Sequence, residues 1–160
     1  MESLRILLEI GGIEVDEQTF SEMAASKNKE YVDYISKLQP EEILPGAKAY
    51  LQQLRSKGIK IALGSASKNA DFILSKLEIT DLFDAVIDGN KVTKAKPDPE
   101  VFVSASVAIG IDPEDCVVFE DAEAGVQAAK AAGSKVVGIG SQEILSEADL
   151  VIPGLYELLE

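Results

Sequence analysis

The chain has no histidine, no tryptophan and a single cysteine, Cys116, among its 160 residues. Without imidazole, serine-triad chemistry, cysteine-protease chemistry and the usual zinc sites are excluded. One cysteine cannot form an intramolecular disulfide, and its apolar surroundings predict a buried, inert thiol in a reducing compartment. No stretch approaches the roughly 20 apolar residues that a membrane span needs. The sequence therefore predicts a cytoplasmic protein with no membrane partner.

Positive charge is also scarce. The 15 Lys and Arg residues stand against 28 Asp and Glu residues, which gives a net charge of −13 at pH 7. A nucleic acid or an anionic membrane surface would be repelled on average, so nucleic acid is not an expected partner. A small phosphorylated ligand is compatible with this charge, because a few lysines in one pocket or a bound cation can reverse the local sign.

The first 38 residues carry apolar positions at helical spacing. A short helix is predicted before the Gly11-Gly12 pair, and a long amphipathic helix from Phe20 to Leu38. Lys27 falls in the centre of the apolar stripe of the long helix, so its charge is expected to face inward. It then either extends past apolar neighbours to water or reaches an anion held between two units. Residues 39–46 contain two prolines and a glycine and are interpreted as a linker.

After the linker, helices alternate with short β-branched runs. Strands are predicted at 59–63, 85–87, 116–119, 136–139 and 150–152, and helices at 47–58, 69–77, 122–132 and after an Asp98-Pro99 pair expected to begin a helix as N-cap and N1. This alternation predicts an α/β fold with an open, mostly parallel sheet. Ligands of such sheets bind beyond the carboxyl ends of the strands.

One such strand end carries the loop Ser65-Ala66-Ser67-Lys68-Asn69. The Ser65 hydroxyl and the Ala66 backbone N–H could bind a phosphoryl oxygen near the amino end of the following helix. The alternative is that Ser67 or Asn69 simply caps that helix.

A second strand end carries Glu120 and Asp121, hard oxygen ligands of the kind that Mg²⁺ takes. Asp121 could bind the ion directly and Glu120 through a metal-bound water, or Asp121 could instead cap the next helix. Lys96 precedes a proline and is therefore held extended in its loop. It either neutralises a phosphoryl group or is merely solvated, and Lys91 and Lys94 are expected to be solvated.

The motifs Gly64-Ser65-Ala66-Ser67-Lys68-Asn69, Lys96-Pro97-Asp98-Pro99 and Val118-Phe119-Glu120-Asp121, in this order, resemble the haloacid-dehalogenase superfamily from about Pro45 to the end of the chain. The resemblance implies a Rossmann-like, mostly parallel sheet with helices on both faces at residues 41–160, and part of an all-helical cap at residues 1–40. It also implies site roles. Ser65 and the Ala66 amide would hold the transferring phosphoryl group, Lys96 would neutralise it, and Asp121 with Glu120 would hold Mg²⁺.

The resemblance further implies that Ser67, Lys68 and Asn69 contact the other phosphate of a phosphorylated sugar substrate. It also implies that Lys27 of the cap contacts the substrate. This longer loop favours a Mg²⁺-dependent phosphosugar mutase that works through an aspartyl phosphate. A sugar-phosphate phosphatase and a non-catalytic phosphate-binding or interaction module are the alternatives.

The sequence departs from the family pattern because it contains no Asp-x-Asp motif. In the family, this motif supplies the nucleophile and the general acid and base after the first, central strand. We therefore expect the chain to be inactive alone and its sheet to lack that strand. Losing about five buried apolar side chains would cost about 7 to 15 kcal/mol. The gap is expected to be filled by a separate amino-terminal piece, by exchange with a second copy, or by the flanking strands closing on each other.

Overall fold

The computed structural model describes residues 2–160, with side chains from residue 4 onward. The chain divides into two compact units, Met1–Leu38 and Gln39–Glu160. The first unit contains α1 (Glu2–Ile10) and α2 (Glu17–Ile35), which confirms both predicted helices. Helix α2 begins earlier than predicted, because the Asp16 carboxylate accepts the backbone N–H of Thr19 at 2.7 Å and acts as its N-cap.

Little of the apolar stripe of α2 is buried. Ile35 is the one buried residue of α2, whereas Met23 and Tyr31 are 37% and 40% exposed. Lys27 is exposed as well, so its expected inward orientation is corrected. A helical period identifies a face, but that face becomes buried only where another element covers it.

The second unit alternates helices and strands as predicted. Its elements are α3 (Ala47–Ser56), β1 (Ala62–Gly64), α4 (Ala70–Lys76), β2 (Ala85–Ile87), α5 (Glu100–Ile109), β3 (Val117–Glu120), α6 (Glu123–Ala131), β4 (Lys135–Ile139) and β5 (Leu150–Ile152), with 3₁₀ turns at Pro40–Glu42, Thr80–Leu82, Pro113–Asp115 and Leu155–Leu158. Strand β1 starts later than the predicted residue 59. The reason is that the Asp84 side chain accepts the Ile61 N–H at 2.8 Å, and the ladder with β2 begins at Ala62.

All strand pairs are parallel, which confirms the α/β fold class. Strands β1 and β2 form one sheet, and β3, β4 and β5 form another in the order β3-β4-β5. Helix α5 packs on β1 and β2, and α6 packs on β3 and β4. Within the described residues β1 and β3 do not pair, so closure of the flanking strands on each other is not how this chain folds. The other two ways of filling the gap stay predictions.

The core of the second unit joins α5, α6 and both sheets. Its buried residues are Ile87, Val101, Phe102, Ala105, Val126, Ala128, Ala129, Val136 and Leu145. Cys116 lies immediately before β3 and is half-buried rather than buried, and desolvation raises the pKa of its thiol. In residues 2–160, no helix is both long enough and apolar enough to cross a bilayer.

Candidate active site

The loop after β1 is held by its own hydroxyl groups. The Ser65 N–H donates to the Ile87 carbonyl at 2.8 Å, which extends the β1–β2 ladder. Ser65 Oγ accepts the Ser67 N–H, and Ser67 Oγ accepts the Asn69 N–H, both at 3.1 Å. Asn69 is the N-cap of α4, but its side chain makes no capping hydrogen bond. Among the described residues, no hydrogen bond uses the N–H of Ala66, so this donor points to no protein acceptor.

Lys96 is not a solvated loop lysine. It lines a cavity of about 150 Å³ together with Ser65 and Ala66. Its side chain is 18% exposed, and its Nζ lies 4.7 Å from the centroid of the Phe102 ring and donates to Glu120 Oε1. A buried carboxylate and an aromatic face both favour a cation at this position. The ammonium is therefore fixed at the cavity wall.

The two neighbouring lysines have structural partners. Lys91 Nζ donates to the Val86 carbonyl at 2.7 Å, and Lys94 forms an ion pair with Asp98 at 3.2 Å. Both lysines are exposed, as predicted, and Lys94 also lines the cavity.

Glu120 ends β3 and is 8% exposed. Its carboxylate contacts Lys96 on one side and the backbone of Gly125 in the first turn of α6 on the other, where any Cβ would overlap it. The glycine thus creates the space in which a charged side chain can be buried. Lys96 in turn compensates the cost of burying that charge.

Asp121 does not cap the following helix. The N-cap of α6 is Ala122, which has no side-chain capping bond, and the exposed Asp121 carboxylate accepts no hydrogen bond in the described part of the chain. The capping alternative is therefore wrong. The Asp98-Pro99 pair does begin α5 as predicted. Pro99 has helical dihedral angles directly before the assigned start at Glu100, and Asp98 accepts the Glu100 N–H at 3.0 Å, the hydrogen bond expected of an N-cap.

Glu120 and Asp121 fit a magnesium site in which the protein supplies only one or two ligands. The described residues contain no group of three or more Asp, Glu, His or Cys side chains that could hold a metal. Mg²⁺, however, commonly takes one or two carboxylates and completes its shell with water and phosphate oxygens. Asp121 has a free carboxylate for direct binding, and Glu120 has one oxygen, Oε1, already committed to Lys96.

Three distant stretches of sequence therefore meet at one edge of the second unit. Ser65 and Lys96 line one cavity, and Lys96 joins Glu120, the residue before Asp121. Their assigned roles stay predictions. Lys27 belongs to α2 of the first unit.

Sequence reasoning missed two carboxylates beside the cavity. Asp88 is 4% exposed and accepts hydrogen bonds from the N–H and side-chain amide of Asn90. Glu100 accepts the N–H groups of Thr93 and Lys94, which lower the pKa of its carboxyl and hold the lysine loop. The available signal for Asp88 was its place directly after the predicted strand at 85–87, at the same edge as Ser65.

Parallel strands that bring a serine loop, a fixed lysine and two carboxylates to one edge define an α/β protein with a candidate ligand site at the carboxyl ends of its strands. The sequence matches the family described as haloacid dehalogenase-like hydrolase over residues 3–133, and the chain belongs to this family.

Two curated relatives and one solved structure indicate where the chain lies in the family. It is 43% identical to the beta-phosphoglucomutase of Bacillus subtilis over 94% of this chain and 68% of the relative. It is 33% identical to the phosphorylated carbohydrates phosphatase of Thermotoga maritima over 86% of this chain and 63% of the relative. The crystal structure of beta-phosphoglucomutase from Clostridium difficile matches with a TM-score of 0.91 and 38% identity, over 98% of this chain and 71% of that chain. The chain is thus similar to both mutases and phosphatases, and it spans about two thirds of their length.

Proposed function

We propose that the chain is the larger part of a Mg²⁺-dependent phosphosugar mutase of the beta-phosphoglucomutase type. The family and the relatives support an enzyme of mutase or phosphatase type. The observation that carries phosphoryl binding is Lys96, whose ammonium is fixed in the wall of the cavity that Ser65 also lines. The 43% identity to a beta-phosphoglucomutase favours the mutase over the phosphatase. A fixed cation and a free backbone donor at one cavity suit a phosphoryl group.

Each site residue has a part in this proposal. The Ser65 hydroxyl and the Ala66 N–H hold the transferring phosphoryl group, and Lys96 neutralises charge that develops on it. Asp121, assisted by Glu120, is the proposed holder of Mg²⁺, which would supply further charge neutralisation when bound. Ser67, Lys68 and Asn69 are proposed to contact the second phosphate of the substrate, and Lys27 is proposed to contact the sugar phosphate.

The nucleophile is proposed to lie outside these 160 residues, because an aspartyl phosphate needs the Asp-x-Asp motif that they lack. We expect the purified chain to show negligible turnover of β-glucose 1-phosphate with Mg²⁺ in a coupled glucose 6-phosphate assay. Appreciable turnover that Asp121→Ala abolishes would contradict this and would show that the chain holds another nucleophile.

Binding tests the site without requiring turnover. We expect calorimetry to detect β-glucose 1-phosphate binding with Mg²⁺ present, and Lys96→Met to weaken it roughly 10- to 100-fold, the range for a charge-assisted hydrogen bond. Lys135→Met, which removes an exposed lysine on β4, is the matched control and should change the affinity less than about twofold. Equal affinities for wild type and Lys96→Met would overturn the proposal.

Two alternatives have their own support. A sugar-phosphate phosphatase is supported by the Thermotoga relative, and free phosphate rather than an isomerised sugar as the product of the complete enzyme would establish it. A non-catalytic phosphate-binding module is supported by the missing Asp-x-Asp, and it predicts binding without turnover under every condition.

We further propose a cytoplasmic location and a small phosphorylated sugar as the partner. Strands β1 and β3 each pair on one side only among the described residues. Their open edges support completion of the sheet by a separate amino-terminal segment or by a second copy of the chain.

A further inference from the structure

We propose that Asp88 and Asn90 are positioning residues that hold the Ser67-Lys68-Asn69 loop in the shape that binds the substrate's second phosphate. This inference rests on the proposed function, since it assigns that loop a substrate phosphate. The two residues act through the loop backbone and do not contact the substrate themselves.

The loop after β2 holds the backbone of the loop after β1. Asn90 Nδ2 donates to the Lys68 carbonyl at 3.2 Å, and the Gly89 N–H donates to the Ser67 carbonyl at 3.2 Å. These two bonds fix consecutive carbonyls of the loop. They therefore determine the direction of the peptide planes between Ser67 and Asn69, including the Lys68 N–H, which has no acceptor among the described residues.

Asp88 orients Asn90. Its Oδ1 accepts the Asn90 N–H at 3.0 Å, and its Oδ2 accepts Asn90 Nδ2 at 2.8 Å. Asn90 Nδ2 thus bridges the carboxylate and the Lys68 carbonyl, with one hydrogen for each. The two-point contact leaves the amide one orientation, with its nitrogen toward the Ser67-Lys68-Asn69 loop.

The burial of Asp88 supports its role in orienting Asn90. From residue 4 onward, four polar or charged residues are buried. Besides Asp88, Ser106 and Ser134 bond to carbonyls and Glu120 pairs with Lys96. Asp88 is 4% exposed, yet the hydrogen bonds that its carboxylate accepts come from Asn90, not from a cation. Burying a carboxylate is costly. The contacts that the buried Asp88 carboxylate makes here hold the exposed side-chain amide of Asn90 in place.

Gly89 allows the two loops to approach this closely. A Cβ at this position would lie 2.5 Å from the Ala66 carbonyl oxygen and 3.3 Å from Lys68 Cγ. The Asp88-Gly89-Asn90 segment is therefore fitted against the Ser67-Lys68-Asn69 loop by shape as well as by hydrogen bonds.

The experiment is an amide NMR titration of the ¹⁵N-labelled chain with inorganic phosphate. The Ser65 and Ala66 signals report the transfer site, and the Lys68 and Asn69 signals report the second phosphate site. We expect Asn90→Ala to raise the Kd reported by Lys68 and Asn69 roughly three- to tenfold, the range for one lost hydrogen bond. The Kd reported by Ser65 and Ala66 should change less than about twofold.

Two further variants separate positioning from general stability. Asn90→Leu keeps a side chain of similar size, adds no charge and removes the Nδ2 donor, so it should behave like Asn90→Ala. Asn28→Ala, an exposed asparagine of α2, is the control and should change neither Kd. Because Asn90 is itself exposed, these variants avoid the folding cost of replacing the buried Asp88.

The outcomes are distinguishable. Equal changes at both pairs of signals, or none at either, with wild-type binding intact, would overturn the positioning role and leave the proposed function standing. Absence of binding to the wild-type chain at both pairs of signals would overturn the proposed function and this inference together.

Discussion

At the scale of single residues, the candidate site depends on the contact between Glu120 and Gly125. The glutamate carboxylate occupies the space that a side chain at residue 125 would need. Lys96 fixes the same carboxylate from the other side. A small change at residue 125 therefore acts on Lys96 through Glu120.

The effect of replacing Gly125 on the free energy of unfolding should change sign when Glu120 is removed. Gly125→Ala should lower the free energy of unfolding by about 1 to 3 kcal/mol, because the new Cβ overlaps the carboxylate. In a Glu120→Ala background the overlap is gone, and the same change should stabilise α6 by up to about 1 kcal/mol, since alanine is the better helix former. Urea denaturation of the four proteins measures both effects. The same sign in both backgrounds would contradict the contact.

At the scale of elements, two aspartates hold the starts of the strands. Asp84 accepts the Ile61 N–H before β1 at 2.8 Å, and Asp149 accepts the Val136 N–H in β4 at 2.7 Å. Each aspartate is also paired with a base, Asp84 with Arg55 at 3.1 Å and Asp149 with Lys130 at 2.6 Å. In each sheet a short strand is thus held in register by a carboxylate at the end opposite to the site.

The Asp84 contact makes stability depend on pH. The Ile61 N–H, with Lys60 and Arg55, lowers the pKa of Asp84 from 3.8 to about 2. Because the folded pKa lies below the unfolded one, the stabilisation is complete above about pH 4 and is lost as the pH falls toward 2. Asp84→Asn should therefore be less stable than wild type at pH 7, and the difference should shrink between pH 4 and 2 in thermal unfolding.

The control for this pH dependence is Asp81→Asn, which removes the same charge at an exposed position of a nearby 3₁₀ turn. It should track the wild type across the range. A difference between Asp84→Asn and wild type that stays constant down to pH 2 would show that the ionised carboxylate is not what stabilises β1.

At the scale of the whole molecule, the two parallel sheets have four strands that are bonded on one side only within residues 2–160, namely β2, β5, β1 and β3. The edges of β1 and β3 are the two that are expected to take up a further strand. Open strand edges pair readily with other chains. We expect the purified chain to self-associate, or to be stabilised by an added amino-terminal segment that fits between these strands. Analytical ultracentrifugation over a range of concentrations measures the first outcome, and thermal unfolding with and without the segment measures the second.

The opposite result is equally clear. A chain that stays monomeric at every concentration, unfolds cooperatively and gains no stability from such a segment would contradict the need to complete the sheet. This prediction concerns only the edges of β1 and β3, so the helices of the first unit do not bear on it.

Much of the fold was predictable because its signals are local. The apolar runs at 85–87 and 150–152 match β2 and β5 residue for residue, since β-branched runs bounded by turn residues specify short strands. Helix α3 begins at Ala47 as predicted, directly after Gly46. The predicted strands likewise place Ser65 and Glu120 at the carboxyl ends of β1 and β3, as the structure does.

The alternation of helices and strands and the chemistry offered at the strand ends thus follow from local sequence, because neighbouring residues specify both. The tertiary structure decided which groups meet and which are buried. It exposed Lys27, placed Lys96 against Glu120, and buried Asp88 beside the loop after β1. These outcomes depend on contacts between residues that are distant along the chain, and local patterns do not encode which distant surface will cover a side chain.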